Sequence, residues 1–167
     1  MSKAPVVLQR GEGEPISIGR MTMLLGREEW TSGAYNLMEQ IVAPKLLSAV
    51  HSHALEDQVA FVLDGTMTCW VDGQEFEVQA GGYVLRPAAV PHSMWNATDE
   101  PVHFLEITSP ATRFQEYVGR LSELIDSGAA NPATVATLAG AYGMTFFPDQ
   151  TELLVARLGL AVGGFWK

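Results

Sequence analysis

The stretch HSHALEDQVAFVLDG, residues 51–65, decides the fold of this chain, and RPAAVPHSMWN, residues 86–96, completes the reading. Side chains alternate across a β-strand with period two, so His51 and His53 share one face and can grip a single ion. Gln58 opens the apolar run 59–63, and Asp64-Gly65 closes it with a dipeptide that favours a tight hairpin turn. In the second stretch Pro87 and Pro91 fix the backbone ahead of a short strand over 93–97, where His92 and Asn96 share parity. His92 supplies a further candidate ligand.

Working outward, short apolar segments recur between Gly, Pro and Asp at 21–25, 35–42, 59–63, 66–71, 76–78, 83–85 and 102–108. Turn residues stand where strands must reverse, at Asp64-Gly65, Asp72-Gly73, Gly81-Gly82 and 98–101. Many short strands with regular turn signals predict a mainly β fold, a jelly-roll barrel over residues 1–110. After Pro110 the period changes. Phe114, Tyr117, Val118, Leu121, Leu124 and Ile125 recur at spacings of three and four, predicting an amphipathic helix that ends near Gly128. Asn131-Pro132 predicts the start of a second helix over 133–142, stopped by Gly143. Asp149-x-x-Glu152 predicts a capping box for a third helix through Leu158. Residues 111–167 therefore read as a C-terminal helical extension packed on the barrel, one structural domain in all. The final Gly163-Gly-Phe-Trp-Lys167 carries two large aromatics that are expected to dock on the barrel or on a neighbouring subunit.

On these residues the chain resembles the cupin superfamily. The first motif of that family reads here as His51-x-His53, four residues, Gln58, six residues, Gly65, and the second as Pro87-x-Ala89-x2-His92-x3-Asn96, with five residues between Gly81 and Pro87. Gln58 stands where the family usually has a glutamate ligand, Ala89 replaces a turn glycine, and the glycine before the histidine pair is missing. Residues 6–126 are similar to quercetin-dioxygenase-like monocupins that carry a helical segment after the barrel. The resemblance implies one divalent transition metal ion (Fe, Mn, Ni, Co, Cu or Zn) held by His51, His53, Gln58 and His92, with Asp57 the alternative to Gln58 if three residues rather than four follow His53. It implies dioxygenase chemistry on a small phenolic, enol or polyketide-like substrate.

Three imidazoles and one amide leave the ion its full charge, which favours a substrate that completes coordination with an anionic oxygen. An amide takes no proton, so a base must come from elsewhere. Glu106 and Tyr83 are the catalytic candidates, with Glu56, Asp57 and His103 beside them. His103 and Glu106 have opposite parity on one strand, so a regular ladder turns only one of them inward. Asn96 has two readings, orienting a ligand or satisfying backbone groups in a turn. Arg86 reads as a fork for a substrate carboxylate or, by default, as a surface ion pair. Phe61, Met67, Trp70, Met94, Trp95 and Phe104 are candidates to line an apolar cavity or to fill the core. Parity with His92 and Gln58 turns Met94, Ala60 and Val62 inward and Trp95 and Phe61 outward; with Phe104, the three inward residues form the expected pocket.

The 167 residues, 47% of them hydrophobic, suffice for one domain with a substantial core. Ten Lys and Arg against nineteen Asp and Glu give a net charge of −9, with no basic stripe, which argues against nucleic acid as a partner. No apolar run approaches the roughly 20 residues that span a bilayer. A single cysteine, Cys69, and an N-terminus without an apolar run fit a reducing cytoplasm. A homodimer is expected, since small barrels present apolar outer strands. Two alternatives stand beside a dioxygenase: a redox-neutral Lewis-acid isomerase, cyclase or lyase, for which Gln58 speaks, and a non-catalytic module that binds a small molecule.

Overall fold

The structure, a computed structural model, describes residues 4–163. In chain order it holds β1 (Glu14–Ile18), β2 (Met21–Gly26), a short 3-10 turn (Glu28–Thr31), β3 (Asn36–Val42), β4 (Leu46–Leu47), β5 (His51–His53), β6 (Asp57–Asp64), β7 (Thr66–Val71), β8 (Gln74–Gln79), β9 (Tyr83–Arg86), β10 (His92–Asn96) and β11 (Val102–Ser109). Then follow α1 (Phe114–Asp126), α2 (Pro132–Ala141), β12 (Met144–Phe146), α3 (Pro148–Leu158) and β13 (Ala161–Val162).

Two sheets face each other as a jelly-roll barrel. The first runs β1-β2-β3-β11-β6-β9, the second β12-β5-β10-β4-β13, with β7 on the other edge of β10 and β8 beyond it. Alternation in β6 and β11 puts Gln58, Ala60, Val62, Phe104, Glu106 and Thr108 inside. Register pairs them as inner rows: Gln58 with Thr108, Ala60 with Glu106, Val62 with Phe104. Phe104, Val62, Val102 and Met67 are buried and plug one end of the barrel. The row at Gln58 lies toward the other end, where the site forms.

Asp64-Gly65 does not make a hairpin. β6 belongs to the first sheet and β7 to the second, so the turn carries the chain across the barrel. Gly65 has φ +85°, and a Cβ there would approach Val102 to 3.1 Å, which explains the glycine without any strand pairing across it. The hairpin signal at Asp72-Gly73 does join paired strands, with Val71 opposite Gln74.

The C-terminal extension is woven into the barrel and is not purely helical. β12 pairs antiparallel with β5, placing Met144 opposite His53 and Phe146 opposite His51, and β13 pairs in parallel with β4. α1 packs its apolar stripe, Phe114, Tyr117, Val118 and Leu121, over the open end. α2 starts as its sequence dictates, with the Asn131 side chain accepting from Ala133 and Thr134 and Pro132 in the first turn. α3 does not use the box at Asp149 and Glu152. Its N-cap is Phe147, with Pro148 setting the first turn. Thr151 instead turns its hydroxyl to the Phe147 carbonyl and accepts the Val50 N–H at 2.9 Å. Trp95 faces out of the barrel as parity requires, yet it is buried with Leu47, Val50, Leu154 and Leu160 under α3 and the last strand. Of the aromatic tail, residues 164–167 lie outside the described residues.

Candidate metal centre

β5 and β10 are hydrogen-bonded neighbours with His51 directly opposite His92. The three imidazoles of His51, His53 and His92 therefore converge on the barrel interior, with one ring nitrogen of each within 4.8 Å of the others. Each Nδ1 is already committed. His51 Nδ1 lies 2.8 Å from the Ala49 carbonyl, His92 Nδ1 2.9 Å from the Val90 carbonyl, and His53 Nδ1 2.5 Å from the Glu56 carboxylate. These partners accept only, so each Nδ1 carries the hydrogen and each Nε2 presents its lone pair. The Nε2 atoms of His53 and His92 are buried without a hydrogen-bond partner, and so is Oε1 of Gln58 on the facing sheet. Buried polar atoms left bare cost roughly 1–3 kcal/mol each, so a cluster of them needs a compensating ligand.

That donor set fits a divalent transition metal. Imidazole nitrogens with their outer N–H groups tied to oxygen are the usual metal-binding arrangement, and an amide oxygen is a neutral companion ligand. Burial, with His53 beside it as the second cause, lowers the His51 imidazole to about 3. Burial also holds His92 well below its ordinary value, with His51 and Arg86 adding to the effect. Both rings thus stay neutral and ready to ligate at physiological pH.

Beside the histidines lies a cavity of about 90 Å³, lined by Met21, Met23, Gln40, His51, Gln58, Arg86, Met94, Glu106 and, from the C-terminal extension, Phe114, Tyr117, Met144 and Phe146. Arg86 is not at the surface. It is 1% exposed and forms an ion pair with Glu106, equally buried, across the intervening strand β6. Ala60, the register partner of Glu106, leaves room for that pair because it carries only a methyl group. Burial raises the Glu106 carboxyl, against the pull of the Arg86 guanidinium. Arg86 Nε and Gln40 Oε1 remain without partners in the interior.

The other candidates sort by face. Met94 lines the cavity, whereas Ala60, Val62 and Phe104 do not: they face inward but sit deeper, where the barrel is filled. Glu106 faces the cavity with its carboxylate bound to Arg86. Tyr83 lies outside the site; it is 69% exposed and paired with Phe61 on the outer face, because its parity is opposite to that of Arg86. Asp57 is exposed and accepts the Ala88 N–H at 2.8 Å, so it caps the loop at Pro87, whereas Gln58 is buried and lines the cavity. His103 points away from the cavity, 3.2 Å from Glu39. Asn96 is a turn organiser: it donates to the Val42, Ala43 and Glu100 carbonyls and accepts from Thr98. Cys69 is a core thiol, pushed up to about 11 by burial.

The cupin domain family matches residues 38–108, the segment that holds β3 to β11 and all four metal-facing residues. Residues 38–108 are a cupin domain. Over 91 residues the chain is 31% identical to quercetin 2,3-dioxygenase of Bacillus subtilis (strain 168), covering 53% of this chain and 27% of that protein. Over 75 residues it is 27% identical to an uncharacterized protein of Methanocaldococcus jannaschii, covering 45% of this chain and 60% of that one. The chain thus spans less than two thirds of either relative. A predicted oxalate decarboxylase from Thermotoga maritima superposes on the cupin barrel with a TM-score of 0.57 at 20% identity, over 63% of this chain and 99% of that chain, a likeness of fold.

Two cavity features escape a strand-by-strand reading. The Arg86–Glu106 pair joins β9 to β11 across a third strand, and parity with Gln58, the register partner of Arg86, is the signal that turns Arg86 inward. Met144 and Phe146 belong to a strand of three residues, too short to show a period.

Proposed function

We propose that this chain is a metal-dependent cupin enzyme, a dioxygenase of the quercetinase kind acting on a small enol or phenol. The observation that carries the reading is the convergence of three imidazoles, two of them (His53 and His92) with bare Nε2 atoms, beside an apolar-walled cavity that Gln58, with its bare oxygen, helps to line. The 31% identity to the Bacillus subtilis dioxygenase supports the choice of chemistry. A divalent transition metal held there supplies a Lewis-acidic point for an anionic oxygen and, where redox-active, a path for electrons to oxygen.

The residues favour one kind of substrate. Gln58 takes no proton and the Glu106 carboxylate is bound to Arg86, so neither is a free base, and the site suits a substrate whose hydroxyl ionises readily and would release its proton to solvent. The Arg86 Nε–H and the Gln40 Oε1 offer one donor and one acceptor for its second polar group. The small cavity, about 90 Å³, favours a β-diketone or a single hydroxylated ring over a three-ring flavonol.

The test is oxygen uptake by protein reconstituted separately with Fe, Mn, Ni, Co, Cu and Zn, with acetylacetone, catechol and a flavonol as substrates. The proposal expects uptake matching loss of the diketone or catechol and none with the flavonol. Turnover without oxygen uptake, equally good with zinc, would move the assignment to a redox-neutral isomerase, cyclase or lyase, the reading favoured by the uncharged Gln58. Binding without turnover under any metal would leave a non-catalytic cupin.

A further inference from the structure

We infer that Glu56 is the anionic member of this metal centre: a positioning residue that sets the charge and metal affinity of the site through His53, without touching the ion. The inference rests on the metal reading above. All four metal-facing donors are neutral, three imidazoles and one amide. The charged pair that lines the cavity, Arg86 and Glu106, cancels itself. Glu56 is the remaining carboxylate bonded to the donor set, 3% exposed, with Oε2 only 2.5 Å from His53 Nδ1. Its other oxygen accepts the Thr112 hydroxyl, and among the described residues no lysine or arginine lies within ion-pair distance of it.

The three histidines therefore differ. His51 and His92 donate to backbone carbonyls, which orient a ring but add no charge; His53 donates to a carboxylate, which makes its Nε2 the strongest donor of the three. In a buried site that negative charge acts on the ion through one ring, compensating part of the charge that a neutral ligand set leaves on it. The loop geometry suits this role. Glu56 follows β5 by three residues, and Thr112, which holds it, leads into α1, the helix that covers the site.

The experiment measures the dissociation constants of Zn(II) and Co(II) by chelator competition on the full chain, with folding of each metal-free variant checked by circular dichroism. Glu56→Gln keeps the shape and the acceptor but removes the charge, and is expected to weaken both metals by 10- to 100-fold. Glu56→Asp keeps the charge and is expected to stay within about threefold to tenfold of wild type, the order opposite to that of a residue needed for shape alone. Adding Gln58→Glu to Glu56→Gln puts a charge back among the donors and is expected to restore most of the lost affinity. Wild-type affinity in Glu56→Gln, or no recovery in the double variant, overturns the inference while leaving the metal centre standing. Failure of the wild type to bind either metal overturns the metal reading itself.

Discussion

At the scale of the residue, the centre depends on which atoms are committed before any ion arrives. His51 and His92 titrate below their ordinary range in the folded chain, so below about pH 6.5 the unfolded chain binds more protons than the native one. Their contribution to stability is present above that pH and is lost as pH falls, down to about 3 for His51. Metal-free protein should therefore lose about 1.4 kcal/mol per pH unit for each of the two histidines once pH drops below 6.5. Urea midpoints measured between pH 7.5 and about 5 check this, and a flat profile speaks against neutral buried rings. Ala89 offers a second test. It holds φ +61° where a glycine would be at ease, with its N–H on the His53 carbonyl at 2.6 Å. Ala89→Gly should stabilise the fold by about 0.5–1 kcal/mol, read as a higher urea midpoint with metal binding unchanged.

At the scale of the element, the barrel was largely legible because strands repeat at period two and the helices at three to four. Inward and outward parity on β6 and β10 came directly from Gln58 and His92. What stayed hidden was long-range. Nothing local marks Asp64-Gly65 as a crossing between sheets, and the strands β12 and β13 have three and two residues. Glu56 sits in a loop, outside any parity argument, and its role appears only when the loop folds back on His53. Arg86 looked like a surface cation because the ion pair that justifies its burial comes from β11. Removing one member of that pair leaves a buried charge alone: Arg86→Met should cost about 3–5 kcal/mol, and adding Glu106→Leu should recover part of it, a cycle measurable by denaturant unfolding. For α3, the Thr151 hydroxyl stands where the sequence suggested a capping box and accepts the N–H of Val50, the residue directly before His51. Thr151→Val should cost about 1–3 kcal/mol, since it strands that buried N–H.

At the scale of the whole molecule, the cupin domain and its C-terminal extension form one object around the site: α1 and β12 close the cavity that the barrel leaves open. Among the described residues no helix is long and apolar enough to cross a membrane. The outer face of β6 and the edge strand β9 expose Phe61, Tyr83 and Leu85 together. We propose a homodimer that covers this row, for which light scattering should return twice the 18.1 kDa of the chain, and the Tyr83→Glu variant the single mass. The central claim, that this protein is built around one metal ion, is tested most directly by the metal content of protein purified without chelators or a metal-affinity column, in wild type and His92→Ala side by side. The account predicts close to one transition-metal ion per chain in the wild type and its loss in a variant that still folds. Wild-type protein that holds no metal even after reconstitution, or a His92→Ala variant that retains it in full, would contradict it.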